Sequence, residues 1–194
     1  MDIRKVFNSN YLKLIAIIAM TIDHATDLVY PGFPAEPLPF SLHFIGRMTA
    51  PIMWFFVCEG YHYTKDVKKY MLRLSIFAII SHFAYCFGFG ISLNPLVGGI
   101  FNRTSVMYPL FIAVVVLYIE DYSGNFKKWQ KTVSKTYAIE LIGVFMVYPV
   151  LKLYNGERGR AKWMKWFYYI YYPLHLVIIG IIRMAVYGDI NICL

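Results

Sequence analysis

The feature that most constrains the fold of this chain is a series of apolar runs, each long enough to form a membrane helix. A hydrocarbon core about 30 Å thick needs about 20 helical residues, and such runs recur through the 194 residues. Hydrophobic residues make up 59% of the chain and charged residues 15%, whereas a soluble domain is about 25% charged. The sequence therefore predicts an all-α, polytopic transmembrane helix bundle, with a single integral membrane domain over residues 1–194.

Turn-forming residues divide the apolar runs into separate helices. The Tyr30-Pro31-Gly32 turn ends the first run, the Asn94-Pro95 break follows the third, and Pro51 predicts a kink inside the second. We predict helices over residues 11–29, 42–60, 70–89, 106–119 and 166–187, with a weaker segment over residues 137–153.

The positions of Lys and Arg predict the orientation of the bundle. Arg4 and Lys5 place the amino terminus in the cytoplasm, and the loop that follows the second helix is then basic and also inside. The loop from Lys152 to Lys165 breaks this pattern, because its five basic residues would lie outside if the segment over residues 137–153 crossed once. We therefore interpret this segment as partial or re-entrant, beside five full spans. Six spans with an anomalous loop are the alternative.

Charge and cysteine content narrow the range of partners. The net charge of +8 is explained by topology-setting residues and by attraction to anionic headgroups, so we expect a lipid bilayer and no nucleic acid as the partner. Cys58, Cys86 and Cys193 are isolated and show no metal-ligand spacing. We therefore expect no metal.

Three ionisable residues lie close together in the first predicted helix: Asp23, His24 and Asp27. A charge at mid-bilayer costs about 2.5–3.5 kcal/mol on insertion scales, so such groups need a partner or a function. A carboxylate beside an imidazole fixes its tautomer and stabilises the imidazolium, which suits a general base. We predict catalytic roles for Asp23 and His24, whereas Asp27 fits a hydrated interface equally well.

The second predicted helix carries one polar residue toward each end. Arg47 lies toward the outer end, where we expect it either to extend its side chain to the interface or to pair with Asp23 or Asp27 and so relieve two buried charges. Glu59 lies toward the inner end. It is a candidate for substrate contact, with a hydrated interface pair as the alternative.

Two further histidines lie in later helices. A single His on an apolar helix, as at His82, is typical of a satisfied core residue. His175 follows Pro173, which lacks an amide donor and so opens the local backbone to polar partners. His175 is therefore the second candidate for a functional histidine.

Four blocks of the sequence resemble the TraX family of bacterial membrane acetyltransferases, best known for acetylating the amino terminus of conjugative pilin. The blocks are LKLIAIIAMTIDH (Leu12–His24), GRMTAPIMWFFVCEG (Gly46–Gly60), YTKDVKKYMLRLSIFAIIS (Tyr63–Ser81) and FYYIYYPLHLVI (Phe167–Ile178). The chain departs from the family pattern in two places. His82 stands where an acidic residue is expected, and one hydrophobic helix is absent between Trp129 and Tyr137.

The resemblance implies a multi-pass protein of the bacterial cytoplasmic (inner) membrane. It implies transfer of an acetyl group from acetyl-CoA to an amine or hydroxyl acceptor, such as the amino terminus of a pilin-like protein. Carried over by position, the family's functional residues correspond to Asp23, His24, Arg47, Glu59, Arg73 and His175.

A mechanism follows as a hypothesis. His24, oriented by Asp23 or Asp27, takes a proton from the acceptor, while Arg47 or His175 stabilises the oxyanion or positions the donor. The phosphates of CoA are expected to bind basic residues of the inner face, namely Lys65, Lys68, Lys69 and Arg73. Two other classes stay open: a small proton-coupled transporter that uses Asp23, His24 and Arg47 as a relay, and a non-catalytic membrane assembly factor.

Overall fold

The computed structural model describes residues 6–32, 34–92, 105–123, 141–157, 159, 161 and 163–188, without the side chains of residues 120, 123, 141–146 and 165. Within these ranges the secondary structure is helical. The helices are α1 (Ser9–Val29), α2 (Pro37–Gly46), α3 (Thr49–Tyr63), α4 (Val67–Phe89), α5 (Met107–Ser123), α6 (Leu141–Lys152) and α7 (Met164–Tyr187). The predicted all-α bundle is confirmed.

Helix length and surface composition fit a lipid environment. Three segments of the described chain are long and apolar enough to cross a membrane: Pro37–Tyr63, Val67–Phe89 and Trp166–Tyr187. α4 also presents an exposed apolar stripe at helical spacing, formed by Leu72, Ile76, Ile79 and Phe83. Water would penalise such a stripe, whereas lipid tails solvate it.

α1 and α7 run in parallel and position the polar cluster between them. The Tyr168 hydroxyl donates a hydrogen bond to the Asn10 carbonyl near the start of both helices, at 3.0 Å. The Tyr187 hydroxyl donates to the Leu28 carbonyl near their ends, also at 3.0 Å. We call the end of the bundle that carries residues 6–9 the inner end, in line with the predicted cytoplasmic amino terminus, and the opposite end the outer end.

α4 and α7 pack closely because small residues line their contact. A Cβ at Gly88 of α4 would overlap with the Leu176 carbonyl, and one at Gly180 of α7 would overlap with the Phe87 ring. Small residues allow such backbone approach between membrane helices. Beside this contact, the main apolar core draws side chains from five helices, including Met20, Val57, Leu74, Leu110 and Leu176.

The interruption in the second predicted helix differs in position from the expectation. α2 ends at Gly46 and α3 begins at Thr49, so the break falls at Arg47–Met48. Pro51 lies in the first turn of α3, where its missing amide removes no helical hydrogen bond. The kink predicted at Pro51 is therefore wrong in position.

The segment after α6 lies at the inner end, beside the start of α1. The Phe7 amide donates to the Leu153 carbonyl at 3.0 Å, and the Asn155 amide donates to the Phe7 carbonyl at 2.9 Å. The described α6 has 12 residues, about 18 Å of helix, against about 30 Å of hydrocarbon. Residues 153–157 therefore lie at the inner end, the end that loop charge favours for the basic loop. Residues 137–140 of the predicted segment lie outside the described residues.

A capping aspartate begins α4 at the inner end. Asp66 accepts a hydrogen bond from the Lys69 amide at 3.0 Å, and its carboxylate lies 3.3 Å from the Lys69 ammonium. These hydrogen bonds lower the pKa of Asp66 from its ordinary value of 3.8. The stabilisation is therefore fully present above pH 3.8 and is lost as the pH falls through the lowered folded-state pKa.

We expect Asp66→Ala to lower the unfolding temperature at neutral pH, because the first turn of α4 loses its cap. The measurement is thermal unfolding in detergent micelles at pH 7. Asp66→Asn is the matched control, since it keeps a capping oxygen without the charge. An Ala variant that unfolds at or above the temperature of the Asn variant would contradict this expectation.

Candidate functional site

Two histidines from different helices meet in the outer half of the bundle. Nδ1 of His24 on α1 lies 2.8 Å from Nε2 of His175 on α7. The ring planes differ by 1° and the ring centroids are 5.1 Å apart. This separation is about the N···N distance plus the two ring radii, so the rings meet edge to edge in one plane. That is the geometry of an N–H···N hydrogen bond.

The contacts of His175 determine which nitrogen of the pair is basic. Its Nδ1 lies 3.0 Å from the Tyr171 carbonyl oxygen, which can only accept, so this Nδ1 carries a hydrogen. In neutral His175 the Nε2 lone pair then accepts from the Nδ1–H of His24. The contacts therefore assign the lone pair of His24 to Nε2.

Aromatic side chains enclose the pair. Phe89 meets His24 edge to face, with ring centroids 5.3 Å apart. Tyr171 and Tyr172 lie against His175, at centroid distances of 5.3 Å and 5.4 Å. His175 itself is 5% exposed. These rings restrict rotation of the imidazoles, so the pair is preorganised.

Asp23 has a different partner from the one expected. Its Oδ1 lies 2.8 Å from Nδ1 of His43 on α2, and His43 is 5% exposed. Of the two residues expected to orient His24, Asp23 therefore pairs elsewhere, because adjacent residues project about 100° apart around a helix. Asp23 joins α1 to α2, while His24 joins α1 to α7.

Of the two alternatives for Arg47, the pairing is not seen. Arg47 is exposed, and within the described ranges the structure gives it no ion pair with Asp23 or Asp27. Its backbone amide donates to the His43 carbonyl at 3.2 Å, which ends α2. Asp27 lies half-buried in the last turn of α1.

Gly46 allows α2 to approach Asp23. A Cβ at Gly46 would overlap with Cβ, Cγ and Oδ1 of Asp23. Because the Asp23 Cβ is fixed to the α1 backbone, the overlap could be relieved only by moving the helices apart. Gly46 is therefore required by the Asp23–His43 contact.

We expect Gly46→Ala to destabilise the protein by about 1–3 kcal/mol, the usual cost of overpacking. At an unconstrained helix position the same change would stabilise by about 0.5–1 kcal/mol. Thermal unfolding in detergent micelles measures the effect, and Ser41→Ala on the exposed face of α2 is the control. A Gly46→Ala protein as stable as the wild type would contradict the close approach.

A cavity of about 640 Å³ lies in the inner half of the bundle. Five helices contribute to its wall, as do Gly159 and Ala161 of the inner segment. The charged side chains on the described wall are Lys13, Glu59 and Arg73. Its volume falls in the range of small-molecule sites, about 300–1,000 Å³.

A smaller void of about 20 Å³ extends from this cavity toward the histidine pair. Met53, Met107 and Tyr168 line both spaces, and Tyr172 lines the far side of the void. Tyr172 in turn contacts His175. A void of this size holds about one water molecule, and the Tyr172 side chain lies between it and His175.

The predicted phosphate-binding residues divide into two groups. Arg73 lines the cavity, whereas Lys65, Lys68 and Lys69 are exposed and do not line it. Lys69 pairs instead with Asp66. Of these four residues, the structure therefore places Arg73 alone on the cavity wall.

Glu59 and His82 lie in different surroundings. Glu59 lines the cavity and accepts a hydrogen bond from the Tyr154 hydroxyl at 2.5 Å. His82 makes a local contact on α4, with its Nε2 3.9 Å from the Cys86 thiol. Within the described ranges, no group of three or more His, Cys, Asp or Glu side chains is placed to hold a metal ion.

Sequence reasoning missed two residues of this region, His43 and Lys13. His43 pairs across helices, and no spacing along the chain indicates such a contact. The sequence did indicate Lys13, because a cation one turn inside an apolar helix costs free energy in the membrane, as the Asp23 carboxylate does.

Comparisons with known proteins support one family. The TraX protein family matches residues 8–145 and 99–183 of this chain. The probable fimbrial assembly protein FimC, serogroup H1, of Dichelobacter nodosus is 22% identical over 239 positions, which include 92% of this chain and 96% of the relative. Because this alignment is longer than the 194-residue chain, the relative contains residues that this chain lacks. No solved structure matches the chain.

Proposed function

Because the chain belongs to the TraX family, we propose that it is a membrane-embedded acyltransferase that moves an acetyl group from acetyl-CoA to an amine or hydroxyl acceptor. The observation that carries this proposal is the 2.8 Å contact between His24 and His175. Two paired, enclosed imidazoles within the bilayer are costly if they serve only to pack helices. A paired imidazole with one basic nitrogen is suited to proton transfer.

The reaction balances with His24 as the base. The acceptor nitrogen or oxygen attacks the thioester carbonyl, and its proton passes to Nε2 of His24. The tetrahedral oxyanion collapses, the C–S bond breaks, and the departing thiolate takes that proton to give CoA. His175 accepts the hydrogen bond of the transient His24 imidazolium, and such charge-assisted bonds are the stronger ones. His175 thus has the role first expected for Asp23.

The two spaces of the inner half support a route for the donor. CoA is made and used in the cytoplasm, whereas His24 lies toward the outer end. The cavity has room for the polar part of the donor. The flexible arm then extends between Met53, Met107 and Tyr168 toward His175. This passage requires the side chains of the small void to move.

A pilin-like protein is the proposed acceptor. The relative from Dichelobacter nodosus carries the name of a fimbrial assembly protein, which supports a pilus-related role for this chain. A pilin-like amino terminus offers a primary amine, and a membrane helix behind it would hold that amine near the bilayer. Acetylation would remove its charge.

The test compares activity classes with the purified protein in liposomes. Acyl transfer predicts release of CoA thiol from acetyl-CoA when a peptide with a free amino terminus is present. A proton-coupled transporter would instead acidify the liposome interior with a solute gradient and release no thiol. An assembly factor would do neither, and either of these results would contradict the proposal.

A further inference from the structure

Two cations face the cavity of the inner half. Lys13 lies one turn into α1, and its ammonium is 4.6 Å from the centroid of the Phe56 ring and 5.8 Å from that of Tyr168. Arg73 lies one and a half turns into α4, 6.0 Å from the centroid of the Tyr70 ring. Two cations on one cavity wall raise its positive potential, which attracts anions. Both cations therefore favour an anionic ligand in the cavity.

Arg73 also has a donor that the protein does not satisfy. Its Nε is buried and has no hydrogen-bond partner in the part of the chain that the structure describes. An unsatisfied buried donor is unfavourable, and more so when it belongs to a charged group. Because this Nε is buried, a ligand oxygen reaches it only after the guanidinium turns toward the cavity.

The cavity carries an excess of positive charge. Glu59 is the single acidic residue on its described wall, and the Tyr154 hydroxyl already donates to its carboxylate. The remaining wall combines small polar groups with the rings of Phe56, Tyr168 and Tyr169. Such rings accept a stacked base, while Arg and Lys bind phosphates.

We infer that Lys13 and Arg73 bind the phosphate groups of a nucleotide-bearing thioester inside this cavity, an inference that rests on the proposed acyl transfer. The exposed Lys65, Lys68 and Lys69 then contribute little, because ion pairs at such positions are screened by water and salt. Lys13 becomes a binding residue for the donor, and the cavity becomes the site that selects phosphorylated over phosphate-free thiols.

Direct binding of CoA to the purified protein in detergent tests this inference, without acceptor and without turnover. Lys13→Gln and Arg73→Gln are each expected to raise the Kd for CoA by about 10–100-fold, the loss of one charged hydrogen bond. Lys68→Gln, at an exposed position on the same face, is the matched control and should change Kd by less than about twofold. Pantetheine, which lacks phosphate, should fail to displace CoA from the wild type.

Two further measurements distinguish a misfolded variant from a failure of the inference or of the proposed function. Lys13→Arg keeps the charge and should restore most of the affinity, and thermal unfolding of each variant shows whether the fold is intact. Wild-type binding that is unchanged in folded Lys13→Gln and Arg73→Gln would overturn the inference and leave acyl transfer standing. A wild type that releases CoA thiol yet binds pantetheine as tightly as CoA would also overturn the inference and leave acyl transfer standing. A wild type that neither binds CoA nor releases thiol would overturn both.

Discussion

His24→Gln is expected to lower the rate of acetyl transfer by about 10²–10⁴-fold, the usual contribution of a positioned general base. Gln can still donate a hydrogen bond to Nε2 of His175, so the packing between α1 and α7 is largely kept. It cannot take a proton from the acceptor. The measurement is the rate of CoA thiol release at saturating acetyl-CoA, together with the Kd for CoA.

The split between rate and affinity makes this prediction specific. The Kd for CoA should be unchanged, because His24 does not line the cavity that holds the phosphates. His62→Gln, at an exposed position near the end of α3, is the control histidine and should keep the wild-type rate. Transfer at the wild-type rate by folded His24→Gln protein would eliminate His24 as the base.

His175→Phe is expected to lower the same rate by about 10–100-fold. The imidazolium of His24 would lose a charge-assisted hydrogen bond, worth about 1.5–3 kcal/mol. Phe keeps the ring that packs against Tyr172 but has no acceptor atom. The free energy of unfolding should therefore change less than the barrier of the reaction.

The double variant tests whether the two histidines act as one unit. His24→Gln combined with His175→Phe should be about as slow as His24→Gln alone, because His175 acts through His24. Independent roles would instead multiply the two rate losses. A double variant slower than either single variant by the full product would contradict the pairing that the 2.8 Å contact supports.

Much of the fold was predictable from local sequence. The apolar runs predicted a helix over 70–89 where α4 covers Val67–Phe89, and over 166–187 where α7 covers Met164–Tyr187. The differences lie at the ends, where caps such as Asp66 extend a helix beyond its apolar part. The break at Arg47–Met48 was not predictable from Pro51, because that proline lies in the first turn of α3, where a helix tolerates it.

The candidate site was predictable in part. The cost of charge in lipid indicated His24, and the open backbone around Pro173 indicated His175. Their contact with each other was not predictable, because it depends on which faces of α1 and α7 meet. The same limit explains why Asp23 was assigned to its neighbour in sequence, although its partner is His43 on α2.

The cavity in the inner half of the bundle was not indicated by the positions of charged residues along the chain. The exposed lysines around the start of α4 indicated a phosphate site because they cluster in sequence. The cavity instead combines Lys13 and Arg73 from helices that are distant in sequence and adjacent in space. We expect these two partly buried cations to bind an anion more strongly than several exposed ones, since water screens the latter.

The central claim is that this chain transfers an acetyl group by means of His24. Its most direct test is a single-turnover reaction of the purified protein in liposomes, with radiolabelled acetyl-CoA and a pilin-like peptide. The account predicts label on the amino terminus of the peptide with one CoA released per acetyl group, and a rate about 10²–10⁴-fold lower with His24→Gln. Wild-type protein that binds acetyl-CoA yet labels no acceptor, or equal labelling by wild type and His24→Gln, would contradict it.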